Sequence, residues 1–282
     1  MKFRFLGTGT SVGVPQIGCS CPVCTSTDPH DKRRRCGVYV TVGDTAFLID
    51  TPPELREACI AYGISKVDAL VLTHAHMDHV AGFDDVRRFN TINGRRVACD
   101  PTTPGANGRN FKIEGKPLPC YALPDTIIQM RHIFPYIGIK GGKHGLFRPQ
   151  VEFHENTEPF SIGAARVTAF PVEHGFPCCG YLIEAEGARI GYASDCCALP
   201  EESYELLKGV DVMVLDCLRE RVHATHFNLA GVLAAFDRIQ PGSAYITHMC
   251  HDFSHRQWCA RLPAGVRPAY DGLELEAGEE LK

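Results

Sequence analysis

The sequence has no long apolar run, no excess of charge of one sign and no repeat of fixed period. No stretch approaches the roughly 18 apolar residues that a membrane-spanning helix needs. The 29 Lys and Arg residues nearly balance the 33 Asp and Glu residues, so general binding to nucleic acid or to membrane surfaces is not expected. The first residues alternate like a β-strand and lack the apolar stretch of a signal peptide. We therefore expect a cytoplasmic protein.

No linker or low-complexity tract divides the 282 residues, so we expect one domain over residues 1–282. Short apolar strands alternate with a few helical stretches, which favours an α/β sandwich with two sheets inside and helices outside. Residues from about 100 to 150 are irregular and rich in Pro and Gly. We interpret this stretch as an insertion or lid.

A histidine cluster follows a predicted buried strand at residues 66–73, where residues 73–79 read T-H-A-H-M-D-H. Its candidate ligands are His74, His76, Asp78 and His79. Imidazole and carboxylate groups suit zinc, manganese or iron. A solvated polar loop is the alternative interpretation, but four such groups within six residues favour a metal site.

The order H-x-H-x-D-H after a buried strand resembles the signature of the metallo-β-lactamase superfamily. This resemblance implies a four-layer αββα sandwich with mixed sheets, and a binuclear metal site. It also implies three later ligands that each follow a strand. The implied first metal is held by His74, His76 and His174, the second by Asp78, His79 and His248, and both by a bridging Asp195.

A second metal motif lies near the start of the chain, where residues 19–24 read C-S-C-P-V-C. C-x-C-x-x-C is a structural-zinc pattern, but it lacks a fourth ligand. This motif is similar to one in the superfamily's branch of phosphoribosyl 1,2-cyclic phosphate phosphodiesterases. That resemblance implies a zinc site of Cys19, Cys21, Cys24 and His251. Cys250 is a rival for the fourth position.

The same resemblance implies hydrolysis of a phosphodiester by a hydroxide shared between two divalent metals, zinc or manganese. Asp78 and His226 are the expected catalytic residues, and His226 would contact the phosphate or protonate the leaving oxygen. His223 competes with His226 for this role. A second phosphate could be held by Lys140, Lys143, His144 and Arg148, which could equally form a solvated loop. Arg87 and Arg88 could face the substrate or cover the surface of a helix.

The expected substrate is a small molecule, a cyclic ribose phosphate or a nucleotide phosphodiester. We expect no membrane partner and no nucleic acid, because no extra arm for RNA is identifiable; a homodimer stays open. Hydrolysis of a thioester or lactone by the same metals is the first alternative. The second is a non-catalytic binding protein, similar to a protein of pyrroloquinoline quinone biosynthesis.

Overall fold

Two seven-stranded β-sheets form the centre of the fold in the computed structural model, which describes residues 1–103, 105–137 and 148–277. The strands of the first sheet, in spatial order, are β16 (Glu274–Glu276), β1 (Lys2–Gly7), β2 (Gly37–Val42), β3 (Thr45–Ile49), β4 (Ala69–Val71), β7 (Leu118–Ala122) and β8 (Val151–Glu155). Those of the second are β15 (Val266–Pro268), β14 (Ser243–Thr247), β13 (Val212–Asp216), β12 (Ala188–Ala193), β11 (Cys179–Ala185), β10 (Ala165–Pro171) and β9 (Phe160–Ile162). A separate hairpin pairs β5 (Arg95–Ala98) with β6 (Phe111–Glu114).

The two faces of each sheet pack into different hydrophobic cores. Successive side chains of a strand point to opposite faces. Phe47 of β3 and Tyr181 of β11 therefore lie in the core between the sheets. Their neighbours Leu48 and Leu182 lie in two outer cores, each beneath the helices. Each sheet thus packs on its partner with one face and on helices with the other, and the expected αββα sandwich is confirmed.

Seven α-helices form the outer layers of the described part of the chain. Against the first sheet lie α1 (Leu55–Ala61), α2 (Met77–Val80), α3 (Arg87–Ile92) and α4 (Pro124–Ile133). Against the second lie α5 (Glu201–Leu207), α6 (Leu229–Ile239) and α7 (His255–Arg261). The side chain of Asn228 caps α6 by accepting a hydrogen bond from the amide of Gly231. None of these helices has the length and apolar character needed to cross a membrane.

The predicted insertion over about 100–150 is wrong for residues 118–133. This stretch contains β7, which pairs with β4 and β8 inside the first sheet, and α4. Leu118 and Cys120 are fully buried. The strand was missed because Pro and Gly residues surround it and its alternation of buried and partly exposed residues covers only five positions. Outside the two main sheets stands the β5–β6 hairpin; residues 138–147 lie outside the described residues.

Parallel pairing sets the position of the functional residues. β3 pairs in parallel with β4, and β12, β13 and β14 are successive parallel neighbours. The carboxyl ends of parallel strands reach one edge of a sheet, which is where α/β sheets bind ligands. A polar residue lies at or within two residues of each of these five ends, and a group of histidines and carboxylates collects there.

Candidate metal centre

Three histidines from distant parts of the chain meet at this edge. His74 and His76 follow β4, and His174 follows β10. Their nitrogens lie within 4.8 Å of one another. The Nε2 atom of His174 is 3.4 Å from Nδ1 of His76. The structure therefore brings together the first ligand set that the resemblance implies.

The second ligand set lies beside the first. Ligand atoms of Asp78, His79, Asp195 and His248 also lie within 4.8 Å of one another. The carboxylate of Asp195 is 3.0 Å from Nε2 of His79 and 3.3 Å from Nε2 of His248. It is also 3.8 Å from Nε2 of His174, which belongs to the first set. Asp195 thus lies between the two sets, at the place of a bridging ligand.

Three of the ring nitrogens that face this centre have no hydrogen-bond partner. Nε2 of His74, His79 and His248, together with Oδ1 of Asp195, are buried and unpartnered. Such atoms cost free energy unless another group satisfies them. Imidazole lone pairs converging beside a carboxylate are the donor set of divalent zinc or a similar ion. The residues therefore fit a divalent cation.

Hydrogen bonds on the outer side of the rings fix which nitrogen faces the centre. Nδ1 of His79 donates to Asp50 over 2.7 Å, and Nδ1 of His174 donates to the carbonyl of Thr225 over 2.9 Å. Thr73 donates its hydroxyl proton to Asp50, which leaves its oxygen to accept from Nδ1 of His74 over 3.0 Å. In each ring Nε2 keeps its lone pair, as a metal ligand requires.

Asp50 was not anticipated from the sequence. It follows the buried strand β3 directly, is fully buried, and has a positive φ of 63°. His248 after β14 has a similar φ of 58°. Left-handed backbone is unfavourable for residues other than glycine and is common at functional sites. A carboxylate that ends a strand next to β4 was the signal that could have identified Asp50.

Opposite charges shape the protonation of the site. Burial lowers the pKa of His74 well below its usual value, so its ring is neutral at pH 7. Burial opposes the charged form of His248 too, but Asp195 outweighs this effect and raises the pKa of His248 to about 9. Burial also acts against the ionised form of Asp195, yet His248 and His79 hold the pKa of Asp195 well below its usual range. Asp195 is therefore ionised and stabilises positive charge at the centre of the site.

A second cluster joins the start of the chain to residue 251. The sulfurs of Cys19, Cys21 and Cys24 are 3.3, 3.6 and 3.3 Å from Nδ1 of His251. A hydrogen bond from the amide of Cys24 lowers the pKa of the Cys21 thiol to about 7, although burial acts in the opposite direction. Three sulfurs around one imidazole nitrogen match a closed structural zinc site.

Cys250, the rival for the fourth position, is outside this cluster. Its sulfur accepts a hydrogen bond from the amide of Asp252. The carbonyl of Cys250 accepts a hydrogen bond from Arg33. The guanidinium of Arg33 is buried and also donates to the carbonyl of Phe253 over 2.9 Å. These bonds hold the segment that carries both His248 and His251.

His226 lies beside the two ligand sets and has a buried carboxylate behind it. Its Nδ1 atom is 2.6 Å from Oδ2 of Asp216, the last residue of β13. Its ring stacks on His248 with centroids 4.7 Å apart. Burial, reinforced by His248, lowers the pKa of His226 to about 4. Asp216 was missed from the sequence, although it too ends a buried strand at the functional edge.

Two of the predicted basic residues have structural partners. Arg87 forms an ion pair with Asp84 over 3.0 Å, and Arg148 donates to the carbonyl of Tyr136 over 3.1 Å. Arg88 is exposed on α3. Lys140, Lys143 and His144 lie outside the described residues.

Comparisons with known proteins agree with this fold. Residues 45–249 match the family described as the beta-lactamase superfamily domain, and the chain belongs to this metallo-β-lactamase superfamily. It is related to the PhnP family: the crystal structure of a diphosphatase from that family is 36% identical, with a TM-score of 0.81 over 98% of this chain and 97% of the other.

Three further similar proteins carry other names. The chain is 30% identical over 284 residues to an octanoyltransferase of Porphyromonas gingivalis; this covers 99% of the chain but 52% of the relative, so the chain spans about half of that protein. It is 25% identical over 248 residues to coenzyme PQQ synthesis protein B of Methylobacterium nodulans, covering 77% of the chain and 72% of the relative. Zinc-bound PqqB from Methylobacterium extorquens shares the fold, with 19% identity and a TM-score of 0.74 over 98% of this chain and all of the other.

Proposed function

We propose that this protein is a phosphodiesterase that hydrolyses a small, cyclic ribose phosphate or a nucleotide phosphodiester. The observation that carries the proposal is the meeting of seven candidate ligand residues in two adjoining groups, with Asp195 between the groups and His226 beside them. In this proposal two divalent cations, zinc or manganese, bind there, and a structural zinc binds the cysteine cluster. Bound divalent cations supply Lewis-acid stabilisation of the charge that develops on phosphoryl oxygens.

His226 is proposed to exchange a proton with the leaving oxygen: Nε2 carries no proton in the neutral ring, so it takes one up before it donates it. Asp216 holds the Nδ1 proton of its ring, so Nε2 is the atom that can exchange a proton with the substrate. The hydrogen bond between Nδ1 of His226 and the carboxylate of Asp216 also prevents rotation of the His226 ring. Asp78, which is 12% exposed and 3.3 Å from Nε2 of His79, is the proposed catalytic carboxylate and contributes to the second cation site.

The charge balance of the chain supports a small anionic substrate. Twenty-nine basic and 33 acidic residues offer no broad basic surface, so the positive charge for a phosphodiester must be local. In this proposal the cations bound at the metal centre supply that charge. The diphosphatase name of the structural relative also favours phosphorus–oxygen chemistry.

The test combines metal analysis with a substrate panel on one preparation. We expect roughly three metals per chain, one of which resists mild chelation, and turnover of an aryl phosphodiester and of cyclic ribose phosphates. His226→Ala should slow phosphodiester turnover by about 10²- to 10⁴-fold with unchanged metal content, whereas His132→Ala on the exposed face of α4 should not. Metal-loaded protein that cleaves no phosphodiester would refute the proposal.

Hydrolysis of an acyl thioester or lactone is the second candidate, and the octanoyltransferase name of one relative favours it. The same cations would polarise a carbonyl group. An octanoyl thioester in the panel separates the two candidates, because the favoured substrate class is the one with the larger kcat/KM. Full metal occupancy without turnover of either class would favour the non-catalytic binding role, to which the PQQ synthesis relatives point.

A further inference from the structure

His223 is a partly exposed histidine beside the site that the proposed mechanism leaves unused. It lies in the loop between β13 and α6. Its ring is 5.0 Å from that of His226, centroid to centroid, with the planes at 50°. The ring of His226 is therefore bordered by His248, by His174 at 5.0 Å, and by His223. Of these neighbours, His223 is the most exposed.

The backbone of Thr225 determines which nitrogen of His223 carries the proton. The amide of Thr225 donates to Nδ1 of His223 over 3.3 Å. An amide N–H cannot accept a hydrogen bond, so Nδ1 of His223 must present its lone pair. Burial, followed by the charge of His226 and Arg219, lowers the pKa of His223, which keeps the ring neutral at pH 7. A neutral imidazole has one N–H, so it must be at Nε2.

His226 has the opposite tautomer. Asp216 accepts the proton of its Nδ1, and the same oxygen accepts the amide of Cys196 over 3.1 Å. An oxygen with two donors directed at it is an acceptor, so Nε2 of His226 is the nitrogen without a fixed proton. Two neighbouring rings therefore present different functions: His223 offers a permanent N–H donor, and His226 offers the nitrogen that can exchange a proton.

We propose that His223 is a substrate-binding residue whose Nε2–H donates to a non-bridging anionic oxygen of the phosphodiester. A phosphodiester carries two such oxygens beside its leaving oxygen, whereas a thioester or lactone carbonyl has no anionic oxygen. A hydrogen bond to a charged acceptor is about twice as strong as one between neutral groups. His223 therefore selects phosphoryl over acyl substrates. This inference rests on the proposed function, whose substrate class it explains.

The experiment uses metal-loaded protein, with inorganic phosphate and an aryl phosphodiester as probes. NMR of protein labelled with ¹⁵N-histidine should show the Nε2–H tautomer for His223. Loss of one hydrogen bond to an anion should weaken phosphate binding in His223→Ala, measured by calorimetry, by about 10- to 100-fold. KM for the diester should rise in proportion while kcat changes little. His223→Gln keeps an N–H donor and should recover part of the loss; His132→Ala is the matched control.

The outcomes separate this inference from the proposed function. Diester hydrolysis that persists with unchanged phosphate affinity and KM in His223→Ala would overturn the role of His223 alone. An Nδ1–H tautomer would do the same. Equal losses in the Ala and Gln variants, together with a lower melting temperature, would show that His223 only maintains its loop and would also overturn the inference. A protein that binds phosphate through His223 but cleaves no diester supports the anion contact and refutes the proposed hydrolysis.

Discussion

Replacing Asp216 by asparagine tests whether the buried carboxylate acts through His226. The two side chains are joined by a 2.6 Å hydrogen bond, and Asp216 is fully buried with Oδ1 unpartnered. Asparagine has nearly the same shape, but its amide can donate to Nδ1 of His226 and so favour the wrong tautomer. The perturbation therefore changes the proton position in the histidine with little change in packing.

The expected loss follows from the strength of that contact. A hydrogen bond to a charged group contributes about 1.5–3 kcal/mol, which corresponds to roughly 10- to 150-fold in rate at about 1.4 kcal/mol per tenfold. The full contribution of a general acid is about 10²- to 10⁴-fold. Asp216→Asn should therefore lower kcat by roughly 10- to 150-fold. The loss should not exceed that of His226→Ala.

The decisive assay is a double-mutant cycle on diester turnover. If Asp216 acts only through His226, adding Asp216→Asn to His226→Ala should cost nothing further, because coupled residues are not additive. Asp211→Asn is the matched control, since Asp211 accepts the amide of Arg189 at the other end of the second sheet. Fully additive losses, or loss of metal from Asp216→Asn, would refute the reasoning and would point to His248, whose Nδ1 is 3.9 Å from Asp216.

Three further perturbations give independent tests. Asp50→Asn should weaken metal binding by about 10- to 100-fold, measured by competition with a chelator, because it removes the acceptor that orients His79; unchanged affinity would contradict that role. Cys21→Ser should lower the free energy of unfolding by up to about 5 kcal/mol in urea titrations, because zinc bound to Cys21 and His251 would close the chain between these residues. If the substitution costs the same free energy when both proteins are free of zinc, a zinc tether is contradicted. Burial raises the pKa of Asp271 to about 7, so the folded state binds its proton more tightly than the unfolded state and stability should fall as pH rises from about 4 to about 7. Asp271→Asn should flatten that decline, and parallel curves for variant and wild type would show that Asp271 does not titrate in this range.

The sequence alone identified most of the residues at the candidate metal centre. Four ligands lie within six residues after an apolar strand, and the resemblance of this motif to the superfamily signature implied the three later ligands. The αββα architecture was also predictable, because short apolar strands mixed with helical stretches favour two sheets inside with helices outside. Local order along the chain contained this information.

The tertiary structure determined which residues form hydrogen bonds with the histidines of the site. Asp50 and Asp216 look like ordinary strand-end carboxylates in the sequence, and only the parallel pairing of β3 with β4 and of β12 with β13 places them against His79 and His226. Residues 118–133 are central to the first sheet because of pairings with residues far away in the chain. The proton positions of the histidines depend on backbone groups such as Thr225, which only folding brings within hydrogen-bonding distance of His174. Ligand identity is a property of local sequence, whereas the orientation and protonation of each ligand depend on long-range contacts.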